Sequence, residues 1–272
     1  LRGLPAVEID SEELVEAARE YGCFYLRHPL GVDAVGLARR FFALPMEEKR
    51  ALGIAGSPHF RGYSEMRNER DWREQIHFGR EERVGDGLRG PNQWPGDLGW
   101  KREVLGLMGE LERVGRAVLG RFGEFMPPEE MGYLLLKMIH YPPAEGRPGV
   151  AAHVDFSWIT LLAQDETGGL EICTPMGEWV AVPYVPGTLV VNLGEILQFA
   201  TGGVLQATPH RVITGAASRV SLPFFLCPAL DRTVDFDAPG EHVHRVLRPA
   251  PLQFGEEEWR RKGLGKWCGW CC

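Results

Sequence analysis

No stretch of this sequence approaches the roughly 18 consecutive apolar residues that a membrane-spanning helix needs, and its first residues lack the basic-then-apolar profile of a secretory leader. A cytoplasmic protein without a membrane partner is therefore expected. Cysteine is scarce: six in 272 residues are too few to staple a disulfide-built fold. Cys23, Cys173 and Cys227 sit among apolar neighbours and read as small buried hydrophobes. The other three, Cys268, Cys271 and Cys272, crowd the end of the chain without the second pair that a four-ligand zinc site requires, so no chemistry is assigned to them. Positive charge is not in excess either. The formal net charge of -7 and a pI near 5.7 remove the electrostatic case for nucleic acid as a partner. Also absent are a GxxxxGK phosphate loop, a dinucleotide-binding glycine fingerprint and a GxSxG nucleophile elbow.

What remains is an ordinary globular composition, 44% hydrophobic and 25% charged, on a chain long enough for one large core or two small ones. Helical patterns come first. Ser11 to Arg19 has an N-cap candidate at Ser11 and acidic residues in its first turn, with Gly22 as its stop. CFYLRHP then reads as a strand closed by Pro29. A second helix spans about Asp33 to Phe42, and Pro45 with Glu47 and Glu48 opens a short helical turn. From Gly53 to Leu98 glycine, proline and charge are dense, and the expectation is irregular structure with one strand at about Glu74 to Phe78. Lys101 to Phe125 carries apolar residues at a spacing near 3.6 and reads as the longest helix, stopped by Pro127 and Pro128.

After Tyr133 the period shortens. Strands are expected at Leu134 to Tyr141, Val150 to Phe156, Ile159 to Leu162, Leu170 to Cys173, Glu178 to Val182, Thr188 to Leu193, Gln206 to Val212 and Arg219 to Leu226. The glycine pairs 168–169 and 202–203 read as hairpin turns, and Glu256 to Arg261 as a short final helix. Helices gathered ahead of the strands, with no alternation, argue against a doubly wound sheet. The fold class that follows is mainly β with flanking helices, a jelly roll set against an N-terminal helical layer.

The chemistry-bearing residues lie between Val150 and His210. In GVAAHVDFSWITLL an extended strand running on to Trp158 would put His153 and Asp155 on one side and Val154 on the other. A third imidazole, His210 in LQATPHRVITG, would complete a face of two histidines and one carboxylate. Such a face leaves coordination positions open and suits non-haem Fe(II) that must bind dioxygen. Read without context, the same residues serve as hydrogen-bonding groups at a core edge. Arg219 and Ser221 also share a strand face, where a planar guanidinium and a hydroxyl can hold one carboxylate; the bland alternative for Arg219 is a barrel-edge salt bridge.

Taken together, HRVITGAASRVSLPFFLCP, AAHVDFSWITLLAQDETGGLEI, GEWVAVPYVPGTLVVNLGEILQFATGG and LKMIHYPP resemble the isopenicillin N synthase-like branch of the Fe(II)- and 2-oxoglutarate-dependent oxygenases. FYLRHP, RGYSE, DWREQIHFG and the Trp94-Pro95 pair extend the resemblance over nearly the whole chain. It implies a double-stranded β-helix core with His153, Asp155 and His210 as iron ligands. It further implies Arg219, Ser221 and Tyr141 as the holders of the distal carboxylate of 2-oxoglutarate. The implied organisation is a single oxygenase domain over 1–272, with a helical and loop-rich portion at 1–128, the jelly-roll core at 129–230 and a C-terminal extension at 231–272.

The implied reaction consumes dioxygen and 2-oxoglutarate, with ascorbate as a reductant, and hydroxylates a small organic metabolite while releasing succinate and carbon dioxide. Arg61, Tyr63, Arg67, Trp158, Phe199 and Phe225 are the candidates for lining the substrate cavity, and a monomer or weak homo-oligomer is expected. Two positions depart from the pattern. Ile139 stands where many plant members have asparagine, and Glu195 with Thr201-Gly202-Gly203 replaces an aspartate and an Asn-Gly turn. Three alternatives stay open: an iron oxidase that uses the same triad without 2-oxoglutarate, a non-catalytic cupin-like binding module, and an inactive oxygenase scaffold serving as an interaction protein.

Overall fold

The computed structural model describes residues 3–83, 88–123, 131–229, 233–234 and 252–253. The suggested helix at Glu256 to Arg261, the Pro127-Pro128 stop, the cysteine tail and most of the 231–272 extension lie outside the described residues. In chain order the elements begin with β1 (Ala6–Val7), α1 (Glu13–Tyr21), β2 (Cys23–Arg27), α2 (Ala34–Phe42) and α3 (Met46–Ala51). A hairpin of β3 (Gly62–Arg67) and β4 (Trp72–Gly79) precedes the long helix α4 (Leu98–Gly120). Then follow β5 (Met131–Tyr141), β6 (Pro148–His153), β7 (Ile159–Gln164), β8 (Leu170–Cys173), β9 (Trp179–Ala181) and β10 (Thr188–Leu193). The helix α5 (Glu195–Ala200) leads to β11 (His210–Ile213), β12 (Arg219–Pro228) and a small pair, β13 (Thr233–Val234) with β14 (Leu252–Gln253).

Two sheets face each other. The larger runs β1-β2-β10-β7-β12-β5-β4-β3 and the smaller β6-β11-β8-β9. Between them lies a compact apolar cluster that includes Tyr25, Ile139, Val150, Leu162, Leu170, Ile172, Val190 and Val212. The opposite face of the large sheet packs on α1, α2 and α4, so Leu37, Phe41, Leu111 and Val118 meet Leu136, Leu161, Leu222 and Phe224 in a second, larger cluster. This is the expected mainly β core with a helical layer, and the reason is the sequence period: alternate residues of each strand feed alternate faces.

Local signals explain the helix ends. Asp33 accepts the Gly36 N–H at 2.8 Å and starts α2. Asp97 accepts the N–H groups of Gly99 and Trp100 at 2.8 and 3.0 Å and starts α4. Gly22 closes α1 at a φ of 62°, and a Cβ there would lie 2.3 Å from the Gln206 carbonyl oxygen, so both conformation and space demand glycine. Gly115 serves closeness instead: a Cβ would meet Leu226 Cδ2 at 2.4 Å, which lets α4 lie against β12.

The structure corrects several expectations. Segment 53–98 holds two strands rather than one, because β3 and β4 pair around a turn in which Asn68 Oδ1 accepts the N–H groups of Arg70 and Asp71. Dense charge hid this hairpin, since the outer edge strand β3 exposes Glu65 and Arg67. The strand expected to reach Phe156 stops at His153. Gln206 to Pro209 is not strand, and β11 begins after Pro209, which has no N–H to donate. α5 was not expected. Gly168-Gly169 links β7 to β8 in the other sheet, and Gly202-Gly203 turns the chain after α5, so neither pair closes a hairpin. Cys173 is half-buried, while Cys23 and Cys227 are buried as expected.

On the helix side, Glu74 anchors a buried polar group. Its carboxylate lies 2.7 Å from Lys49 Nζ and 2.7 Å from His140 Nδ1, and it accepts the Tyr63 hydroxyl at 2.5 Å. Burial raises its pKa, but His140, Lys49 and Tyr63 outweigh burial and hold the carboxyl down at about 2. A carboxyl depressed in the folded state adds stability above its unfolded pKa and gives it up as pH falls through the folded value. Glu74→Gln is expected to destabilise the protein by about 3 kcal/mol at neutral pH. In urea denaturation, the gap from the parent should narrow steadily as pH is lowered from the unfolded glutamate range toward 2.

Candidate metal centre

β6 and β11 are antiparallel neighbours, and His153 pairs in register with His210. Their rings lie 4.3 Å apart between centroids. In each ring Nδ1 meets a backbone carbonyl, Ala151 O at 2.9 Å for His153 and Thr208 O at 3.0 Å for His210. A carbonyl only accepts, so Nδ1 carries the proton in both and Nε2 keeps a lone pair. Those two Nε2 atoms stand 3.6 and 3.5 Å from Asp155 Oδ1.

Asp155 reaches this position from a turn, not from a strand. Its backbone carbonyl accepts the Glu195 N–H at 2.8 Å, and the Trp158 carbonyl accepts the Gly194 N–H at 2.9 Å, so the start of α5 holds the turn in place. A Cβ at Gly194 would lie 2.0 Å from the Ser157 carbonyl oxygen, which fixes how closely that contact is made. The common orientation of His153 and Asp155 therefore comes from a bend pinned by α5 rather than from strand period.

The donor atoms of His153, Asp155 and His210 lie within 4.8 Å of one another. Asp155 is 2% exposed, and its Oδ2 has no hydrogen-bond partner. Burial opposes ionisation of Asp155, yet the neighbouring imidazoles hold its carboxyl well below the usual range. Burial lowers the pKa of His153, helped by repulsion from His210; at His210 the Asp155 charge overcomes burial and the pKa rises. Two imidazole Nε2 atoms and a buried carboxylate with an unpartnered oxygen form a donor set that fits a divalent first-row metal. Cys23, on the adjoining strand face, is no rival ligand, because burial and the Asp155 charge push its thiol pKa up.

The three donors share a cavity with Arg219, Ser221 and Tyr141. Arg219 Nη1 donates to Ser221 Oγ at 3.0 Å and Nη2 to Gln164 Oε1 at 3.1 Å, while the guanidinium lies 4.9 Å from the Tyr141 ring centroid. Of the substrate-side candidates, Phe225 lines this cavity. Arg61 instead ties loop to sheet through the carbonyls of Leu88 and His59 and the hydroxyl of Tyr133. Tyr63 is engaged with Glu74 on the helix side, and Arg67 is exposed over the Trp72 ring. Trp158 and Phe199 are core residues of the helix-side cluster.

Lys137 and Arg73 line the cavity and were not foreseen, nor was Gln164 as the partner of Arg219. For Lys137 the signal was present, as a charged residue in the apolar run LLLKMIHY at period two with Ile139 and Tyr141. Gln164 becomes visible only once its pairing with Ser221 is known.

Residues 133–228 match the model of the 2OG-Fe(II) oxygenase superfamily, and residues 8–97 match that of the non-haem dioxygenase in morphine synthesis N-terminal family. A 2-oxoglutarate-dependent dioxygenase of Gibberella zeae is 34% identical over 90% of this chain and 77% of its own length. Among solved structures, a putative 2OG-Fe(II) oxygenase family protein from Caulobacter crescentus superposes with a TM-score of 0.76 at 28% identity, covering 95% of this chain and 98% of that one. A full-length Neurospora crassa protein solved in complex with alpha-KG gives a TM-score of 0.78 at 22% identity over 95% of each chain, a likeness of fold. No helix among the described residues is long and apolar enough to cross a membrane.

One divalent ion per chain is the expected stoichiometry of the donor set. Asp155→Ala should weaken Fe(II) or Mn(II) binding at least about a hundredfold in anaerobic titration calorimetry, since loss of a direct ligand exceeds the effect of losing a supporting one. Glu171→Ala, which removes an acid that pairs with Arg211 at 2.7 Å, should leave it unchanged.

Proposed function

The chain belongs to the 2OG-Fe(II) oxygenase superfamily and is a non-haem Fe(II)- and 2-oxoglutarate-dependent dioxygenase of small organic substrates; from that premise we propose the residues that carry the reaction and the branch it falls in. His153, Asp155 and His210 hold the iron. Arg219 and Ser221, with Tyr141 alongside, receive the distal carboxylate of 2-oxoglutarate. The outcome is hydroxylation of a small metabolite, within the isopenicillin N synthase-like branch, by a cytoplasmic monomer or weak homo-oligomer whose residues 1–272 act as one catalytic unit.

When bound, the metal and cosubstrate supply dioxygen activation coupled to oxidative decarboxylation, yielding succinate, carbon dioxide and an oxidised substrate. The chain's part is positional and electrostatic. Carbonyls of Ala151 and Thr208 keep both imidazoles in the tautomer that presents Nε2. Asp155, ionised at neutral pH, brings the negative charge a cation needs inside a buried cavity. Ser221 and Gln164 hold the Arg219 guanidinium in one plane, so its fork is oriented before a carboxylate arrives and less freedom is lost on binding. Apolar walls from Ile139, Leu162 and Val212 keep water from the space between.

The observation that supports this reading is that the imidazole–carboxylate face and the preset arginine line one cavity. An anaerobic titration of the Fe(II) protein with 2-oxoglutarate should produce a weak visible charge-transfer band. His210→Ala should abolish the band, and Arg219→Met should raise the 2-oxoglutarate concentration needed for it by about a hundredfold, the worth of a charge-assisted bidentate contact. Iron bound without any band would sink the assignment.

A further inference from the structure

We propose that Tyr25, on β2, is a positioning residue for the cosubstrate: through the Pro183 carbonyl it fixes the Gln164 amide, and through that amide the plane of Arg219. This rests on the assignment of Arg219 to the distal carboxylate of 2-oxoglutarate made above. Tyr25 is 4% exposed and belongs to the cluster between the two sheets. It pairs in register with Val190, which pairs with Leu162 on β7, two residues before Gln164 on the same strand face. Its hydroxyl donates to the Pro183 carbonyl at 2.5 Å. Burial, and then Cys23, push its pKa up to about 12, so the hydroxyl remains a donor at neutral pH.

The Gln164 amide is the link that needs fixing. An amide has nearly the same shape in its two orientations, but only one of them presents Oε1 to a guanidinium, which can only donate. Gln164 Oε1 accepts from Arg219 Nη2 at 3.1 Å, while Nε2 donates to the carbonyls of Val182 and Pro183 at 3.3 and 3.4 Å. Turning the amide over would set donor against donor at one end and acceptor against acceptor at the other. Its orientation therefore holds while the two carbonyls stay in place. Val182 is secured by its own N–H, which donates to the Leu170 carbonyl at 2.8 Å. Pro183 has no N–H to give, and Tyr25 supplies the bond that secures its carbonyl.

Arg219 needs this second point of support. Ser221, on its own strand, holds Nη1, and one hydrogen bond leaves a guanidinium free to swivel about that contact. The bond from Nη2 to β7 stops the swivel. A swivelling guanidinium would still attract a carboxylate by charge but would lose the directional part of the contact, so the expected effect is a weaker cosubstrate and not an absent one. Among the described residues, Tyr25 and Gln164 are not part of the cavity lining, and they reach a bound carboxylate only through Arg219. Because β2 lies within residues 8–97, the N-terminal region then takes part in cosubstrate binding.

The test titrates the anaerobic Fe(II) protein, read by its charge-transfer band, with 2-oxoglutarate and with 2-oxopentanoate, which keeps the chelating end but has a methyl group in place of the distal carboxylate. Tyr25→Phe should weaken 2-oxoglutarate about fivefold, the worth of one neutral hydrogen bond, and leave 2-oxopentanoate within about twofold of the parent. Gln164→Leu, one bond nearer the guanidinium, should weaken 2-oxoglutarate about tenfold with the same indifference to 2-oxopentanoate. In the Arg219→Met background neither change should alter 2-oxoglutarate affinity, because the group they position is gone. No loss from Tyr25→Phe, a loss shared equally by both 2-oxo acids, or a loss that persists without Arg219 would overturn the proposal and leave the iron and 2-oxoglutarate assignment standing. Failure of 2-oxoglutarate to bind the parent, or its indifference to Arg219→Met, would overturn both.

Discussion

In the eight-stranded sheet the central strands β5 and β12 each serve two buried environments at once. Along β5, Leu136 and Met138 enter the core beneath the helices while Lys137, Ile139 and Tyr141 face the cavity. Along β12 the same division sends Val220, Leu222 and Phe224 to the helices and Arg219, Ser221, Pro223 and Phe225 to the cavity. A slip of one residue in the β5–β12 register would thrust Arg219 into the apolar layer and a leucine into the site. The hydrophobic layer thus sets the chemistry indirectly. Burial of the even-numbered residues on these two strands selects the register, and the register delivers the polar ones.

The metal face depends on a different device. Nothing in the strand period brings Asp155 toward the two histidines, because β6 has ended by then. Hydrogen bonds from the first residues of α5 to the carbonyls of Asp155, Ser157 and Trp158 bend the chain back. Glu195, a departure from the aspartate of related sequences, contributes through its backbone N–H.

How much of this was legible in the sequence follows from how local each cause is. α1, α2 and α4 could be read from amphipathic spacing and stop signals, because a helix is decided by residues within a turn or two of each other. His153, Asp155, His210, Arg219 and Ser221 were picked out in advance by the segments around them, and they do share a cavity. The reasoning for the HxD pair was incomplete, since it invoked strand period where a pinned turn operates. α5, only six residues long, offered too short a pattern. The β3–β4 hairpin was hidden because a sheet edge tolerates charge. Arg61 and Tyr63 were misplaced for a non-local reason: whether a loop residue reaches a cavity depends on what else competes for its polar atoms, here the Leu88 carbonyl and Glu74.

The order of strands in the large sheet has one more consequence, for how the chain is made. Its four central strands, β10, β7, β12 and β5, all come from beyond residue 130, whereas both flanks, β1-β2 on one side and β4-β3 on the other, come from the first 80 residues. A growing chain therefore produces its outermost strands first, and they have no interior to join until the second half emerges. Once assembled, those early strands cover the two edges that the central four would otherwise leave open to pairing with other chains. The N-terminal portion is thus a pair of edge guards as well as a helical support, and cutting the chain between the two regions matched by family models would divide one sheet and not separate two modules.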